Sequence, residues 1–150
     1  MADNTFRCRL VTPAESLLDE PVTYANVPLW DGLMGFEHGR APIVARVGLG
    51  ELTLKFPEAT HGGGDRTFFV EGGFVQMAGN ELVILAEKAS AAETLTETDA
   101  QAELAEADRM TVPADATDKL KAADDIAAKR NAARTKLRIA RHTRGNGRGI

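Results

Sequence analysis

A single cysteine, Cys8, occurs in 150 residues, so no intrachain disulfide can form and a reducing compartment is the simplest setting. Aromatic residues are scarce, at 5%, so a core must be built mainly from Val, Leu, Ile and Ala. No apolar run approaches the roughly 18 residues that a membrane-spanning helix needs. The start, Met1-Ala2-Asp3-Asn4-Thr5, has neither the basic nor the apolar segment of a secretory signal. Asp3, with no Arg/Ser-rich stretch after it, also argues against a transit peptide. The histidines, His38, His61 and His142, fall in different segments, and no His/Cys/Asp/Glu spacing suits a metal, so they read as solvated or structural. Gly62-Gly63-Gly64 lacks the Gly-Lys-Ser/Thr that completes a phosphate loop. Asp31-Gly32-Leu33-Met34-Gly35 lacks the acidic ladder of a calcium loop. Cys8 lies in a strand pattern with no activating base beside it and reads as a small buried hydrophobe. No catalytic constellation, metal centre or cofactor site is expected.

What is present is a soluble, globular composition, 43% hydrophobic and 27% charged, of a length that suits one domain with a small appendage. Its net charge of −4 hides an asymmetry. From Lys119 onward ten basic residues face only Asp124 and Asp125, an excess of eight positive charges that leaves the remainder at −12. An acidic body with a basic arm predicts an acidic target for the arm: a protein, a nucleic acid or a membrane surface.

Apolar and polar residues alternate over Phe6–Val11, Val22–Pro28 and Val47–Phe56, the signature of half-buried strands. Thr67–Glu71 and Phe74–Met77 flank Gly72-Gly73, which permits a bulge or a sharp change of strand direction. Gly79-Asn80 fits a two-residue hairpin turn into Glu81–Ala86, and His61–Asp65 reads as a loop tip. Many short strands at this spacing predict an antiparallel β-sandwich or barrel over 1–90. Near Ser90 alanine becomes frequent and glycine vanishes until Gly145, which predicts an α-helical hairpin over 91–150. Thr96 and Asp99 suit the start of a first helix whose face carries Ala100, Leu104, Ala107 and Met110. Val112-Pro113 breaks it, and Asp115 or Thr117 can cap a second helix with Leu120, Ala123, Ile126, Ala127, Ala133, Leu137 and Ala140 on its apolar side. The tail from Gly145 to Ile150 is expected to be disordered. Few large apolar residues support the hairpin, and ordering each residue costs on the order of 1–2 kcal/mol of backbone entropy. Such an arm can leave one docking surface for another, which is a physical basis for a switch.

The order of short motifs is specific. Pro28-Leu29-Trp30-Asp31-Gly32-Leu33-Met34-Gly35-Phe36 precedes Gly39-Arg40-Ala41-Pro42 and Val47-Gly48-Leu49-Gly50-Glu51-Leu52. Phe69-Val70-Glu71-Gly72-Gly73-Phe74, Gly79-Asn80 and Val83-Ile84-Leu85-Ala86-Glu87-Lys88-Ala89 follow. This series resembles the epsilon subunit of F-type ATP synthase over roughly Phe6 to Arg144. The resemblance implies a non-catalytic rotor subunit that docks on the gamma subunit and the c-ring, with the sandwich as the rotor-docking domain. By the same resemblance Trp30, Asp31, Gly32 and Leu33 face the c-ring, and Gly39, Arg40, Ala41 and Pro42 lie towards gamma. The hairpin is implied to be regulatory: its basic second helix meets acidic segments of the catalytic beta (and alpha) subunits and blocks ATP hydrolysis, with Arg130, Arg134, Arg138 and Arg141 as the contacting cations. The implied setting is the cytoplasmic face of a bacterial inner membrane, reached through the complex alone, with no nucleic acid involved.

Departures from the family pattern are visible. Arg40 stands where the family has His, His38 where it has Pro, and Leu33 where it has a polar residue. The bacterial ATP-binding signature, Ile/Leu-Asp-x-x-Arg-Ala, is degraded to Leu95-Thr96-Glu97-Thr98-Asp99-Ala100. Asp99 puts a carboxylate where a cation should meet phosphates, and like charge repels them, so weak or absent ATP binding is expected. The alternative is a sandwich binding module whose basic arm takes nucleic acid or an anionic membrane, although the arm lacks aromatics for base stacking. A cupin-like enzyme would need clustered histidines and carboxylates, which are missing.

Overall fold

The computed structural model describes residues 4–60 and 62–146. The chain divides between Ala92 and Glu93 into two compact units. The first contains strands β1 (Phe6–Val11), β2 (Ser16–Val22), β3 (Tyr24–Leu29), β4 (Gly32–Phe36), β5 (Ile43–Arg46), β6 (Leu49–Phe56), β7 (Gly64–Ala78) and β8 (Glu81–Ala91). They hydrogen-bond in the order β2-β1-β8-β7-β6-β3-β4, with β5 added against β7. Every pairing is antiparallel except β1 with β8, which run parallel.

Alternation builds the core. In β1, Phe6, Cys8 and Leu10 are buried while Arg7 points to solvent. β3, β6, β7 and β8 contribute Val27, Leu52, Leu54, Phe68, Val70, Val75, Met77, Leu82 and Ile84 to one cluster. Removing each large side chain from water contributes roughly 1.5–3 kcal/mol, so this unit rests on its own core.

The segments around Gly72-Gly73, read above as two strands, form one strand. Its register with β8 is unbroken on either side, Glu71 opposite Lys88 and Gly73 opposite Ala86, so no bulge is present. Instead β7 changes partner there, from β6 (Leu49 opposite Glu71) to β5 (Arg46 opposite Phe74). Both glycines take positive φ, +72° and +104°, and a Cβ on Gly73 would strike the carbonyl oxygen of Leu85. Strand β8 also runs past Ala86 to Ala91, pairing with β7 as far as Phe68.

Strands β2, β4 and β5 were missed by alternation. Strand β2 carries Asp19, Glu20 and Pro21 at a sheet edge, where only β1 needs its hydrogen bonds and proline is tolerated. Strand β4 contains Gly32 and Gly35, and β5 is four residues long. Of the expected His61–Asp65 loop, His61 lies outside the described residues, and Gly64 and Asp65 already belong to β7.

A 3-10 turn (Ala92–Thr94) follows β8 across the boundary, and the second unit then holds α1 (Glu97–Arg109) and α2 (Lys119–Asn146). Thr96 caps α1, its hydroxyl accepting from the Asp99 N–H at 3.1 Å. The cap of α2 is Asp118 rather than Asp115 or Thr117: its carboxylate accepts from the Lys121 N–H at 2.9 Å. The bend at 110–118 includes a turn in which Ala116 N–H donates to Pro113 O. Ala100 and Ala107 are buried on α1, and Ala132, Ala133, Thr135, Leu137, Ile139 and Ala140 on α2. Leu120 and Ala127, expected on the apolar side, are exposed. Helix α2 continues through Gly145 and Asn146, which the sequence placed in a disordered tail, and 147–150 lie outside the described residues.

Candidate interaction surfaces

Trp30-Asp31 forms the tight turn between β3 and β4, closed by pairing of Leu29 with Gly32. Gly32 takes φ +134°, which a side chain would disfavour. The tip is anchored where Trp30 N–H donates to Arg46 O at 3.0 Å. Trp30 and Leu33 stand 69% and 66% exposed beside the Asp31 carboxylate. Two large apolar side chains displayed at one hairpin tip, Trp30 on the turn and Leu33 at the start of β4, are poorly explained by folding alone, because exposure forgoes the stabilisation that burial brings.

Gly39, Arg40, Ala41 and Pro42 occupy the loop from β4 to β5 and are exposed. Arg40 folds back on β4: its guanidinium donates to Gly35 O and Met34 Sδ, each at 3.3 Å, and sits 5.2 Å from the centre of the Phe36 ring. A surface cavity of about 320 Å³ lies beside it, lined by Tyr24, Gly35, Glu37, His38, Gly39 and Arg40. Pro42 leads directly into β5, where a surface begins that the sequence reading overlooked. Val44, Phe74 and Leu85 are 68%, 58% and 54% exposed. The register sets Phe74 opposite Leu85 and, across β5, Arg46 opposite Phe74 and Val44 opposite Gln76. These side chains therefore share the outer face of three adjacent strands. The signal was present as apolar neighbours of both parities, Ile43-Val44, Phe74-Val75 and Val83-Ile84-Leu85, where a one-sided strand should alternate.

On the same sheet, the Arg7 guanidinium grips Asp19 through two bonds of 2.8 Å, and Arg9 reaches Glu81 at 3.4 Å. The hydrogen bond from Arg7 holds the Asp19 carboxyl below its ordinary range. Burial pushes the Cys8 thiol up to about 12, which removes the thiolate needed for reactivity.

In the second unit the arginines named from sequence lie on one stripe of α2, at spacings of four, four and three residues. The arm is not without acidic company. Arg130 pairs with Asp108 at 2.8 Å, Lys136 with Glu103 at 3.1 Å and Arg141 with Glu97 at 3.9 Å, so α1 runs antiparallel beside it. Arg134 and Arg138 are exposed. At the degraded nucleotide signature, Thr96 is committed to capping, Leu95 is half-buried and Ala100 is buried. The first turn of α1 adds the carboxylates of Glu97 and Asp99. Among the described residues no group of three or more His, Cys, Asp or Glu is placed to hold a metal ion, and no helix is long and apolar enough to cross a membrane.

Residues 5–92 match the family model of the ATP synthase delta/epsilon chain beta-sandwich domain. Among curated relatives, the ATP synthase epsilon chain of Rhodopirellula baltica is 36% identical over 103 residues, covering 69% of this chain and 77% of that one. Among solved structures, a chain of the Euglena gracilis mitochondrial ATP synthase (OSCP/F1/c-ring) aligns with a TM-score of 0.64 at 20% identity, covering 97% of this chain and 83% of that one. A chain from the central stalk and c-ring of the Tetrahymena thermophila mitochondrial ATP synthase aligns with a TM-score of 0.60 at 16% identity, over 89% and 95%. The sandwich's eight-strand topology, the helical hairpin that follows it and these matches agree: the chain belongs to the ATP synthase delta/epsilon family, as an epsilon chain.

Proposed function

We propose that this chain is a non-catalytic subunit of the central stalk, joining the gamma subunit to the c-ring and restraining ATP hydrolysis through its C-terminal helices. The observation that carries the docking role is the outer face of β5, β7 and β8, where Val44, Phe74 and Leu85 remain exposed. A sandwich with its own filled core has no folding need for such a face, but a permanent protein partner does. It continues from the Gly39–Pro42 loop, so we assign both to gamma. The exposed pair Trp30 and Leu33, with Asp31 between them, is assigned to the c-ring. The braking role rests on the cation stripe of α2, Arg130, Arg134, Arg138 and Arg141, which suits acidic segments of the catalytic beta and alpha subunits. The c-ring contact would make the chain a peripheral component at the membrane.

The test adds the purified chain, or a form ending at Ala92, to a catalytic head from which this subunit has been removed, and follows ATP hydrolysis. The full chain should bind and inhibit, and the shortened form should bind without inhibiting. Binding by both with inhibition by neither leaves a coupling subunit without a brake. Binding by neither removes the docking assignment and turns attention to a basic arm for nucleic acid or anionic lipid.

A further inference from the structure

We infer that α1 is a built-in competitor for the cations of α2: its carboxylates occupy, in the closed hairpin, the charges that an acidic partner would take. The acidity of α1 then sets how readily the basic helix is released. The inference deepens the braking role proposed above and rests on it.

Helix α1 carries five acidic residues, Glu97, Asp99, Glu103, Glu106 and Asp108, against one basic residue, Arg109. Three of the acids are spent on α2, in antiparallel order along the hairpin. Two of the cations so engaged, Arg130 and Arg141, belong to the stripe assigned to the partner. An acidic segment must compete with Asp108, which holds Arg130 by a hydrogen bond of 2.8 Å, and with Glu97, which faces Arg141 at 3.9 Å as a looser ion pair. The lock is weak as well as specific. The paired side chains remain 23–58% exposed, so water and salt screen them and each pair contributes little. On the α1 side the fully buried apolar residues are the small Ala100 and Ala107, so α1 itself brings few large apolar contacts to the lock. Arg134 is exposed and makes no ion pair with α1, which leaves a cation for a partner to engage first. A weak intramolecular pseudo-ligand of the partner's charge type makes release a competition, not an unfolding event.

Two variants of the full chain, each neutralising two carboxylates with near-isosteric amides, separate this from a general charge effect. Glu103→Gln with Asp108→Asn removes two of the pairs. Glu106→Gln with Asp115→Asn removes as much negative charge from exposed carboxylates that do not pair with α2. Inhibition of hydrolysis by the depleted catalytic head is titrated for each, and the α1–α2 separation is measured in the isolated chains by paired spin labels. The first variant should inhibit at about three- to tenfold lower concentration than the parent, as two exposed pairs predict, and should show a larger open population. The second should match the parent on both readouts. Equal potency for the first variant and the parent overturns the competitor while the brake stands. Equal gains from both variants also overturn it, because bulk charge then explains the effect. If no form inhibits, the brake itself is wrong and the competitor falls with it.

Discussion

Gly73 is the residue on which the sandwich turns. It lies at φ +104° where β7 exchanges β6 for β5, and a Cβ there would meet the Leu85 carbonyl oxygen of the adjacent strand. Backbone carbonyls in a paired strand cannot move aside cheaply. Gly73→Ala should therefore cost about 3 kcal/mol or more, combining left-handed strain with a backbone clash. Gly79→Ala is the comparison: φ is +58° but nothing lies within 4 Å, so about 1–2 kcal/mol is expected from strain alone. Urea unfolding measures both, and similar losses would show that the close approach is not what fixes Gly73. Asp19 gives a pH signature at the same scale. Its folded pKa is depressed by Arg7, so the pair stabilises above the ordinary carboxylate value of 3.8, and that contribution is lost as pH falls through the folded value. Thermal melts taken down the acid limb should fall less steeply for Asp19→Asn than for the parent. Parallel curves would mean that the exposed pair is screened out.

Among the elements, what was legible in the sequence depended on whether the decisive forces were local. Strand β1 was read to the residue because Phe6, Cys8 and Leu10 alternate cleanly with polar neighbours. The start of α1 was equally readable, because Thr96 caps through a bond three residues ahead. The cap of α2 was not, since Asp115, Thr117 and Asp118 offer the same chemistry and only the path of the bend selects Asp118. Strands β2, β4 and β5 exist because neighbours pair with them, a long-range cause that no short window contains. The outer apolar face was written as consecutive apolar residues, but a strand buried on both sides is written the same way. The helical unit invites a prediction from the cap. Thr96→Ala removes one acceptor at the start of α1 and should cost about 1 kcal/mol. Since the large core side chains lie in the sandwich, the loss should stay local. Amide exchange should quicken along α1, and along α2 through its ion pairs, while β6 and β7 keep their protection. Equal acceleration in the sandwich would mean that both units open together.

At the scale of the molecule, stability and the proposed docking role are written on opposite faces of the same strands. Val75, Met77, Leu82 and Ile84 hold the inside, while Phe74 and Leu85, one residue away, face out. Substituting the outer set should therefore separate binding from folding. Phe74→Ser with Leu85→Ser leaves the core untouched and removes one exposed cross-strand pair beside Gly73, a loss of about 1 kcal/mol. Each side chain, if buried centrally against a partner, contributes about 1–2 kcal/mol or more to association. The double variant should stay folded and melt only about 5 °C below the parent, yet bind the depleted catalytic head at least about tenfold more weakly, reaching the same extent of inhibition only at correspondingly higher concentration. Changing Trp30 and Leu33 to serine should leave that soluble association intact and weaken assembly with the membrane sector instead, because the β3–β4 tip is assigned to the ring. Should the Phe74 and Leu85 variant bind as the parent does, the outer face is not the gamma contact. The Gly39–Pro42 loop would then have to carry docking without it, from an arginine already turned back onto Phe36.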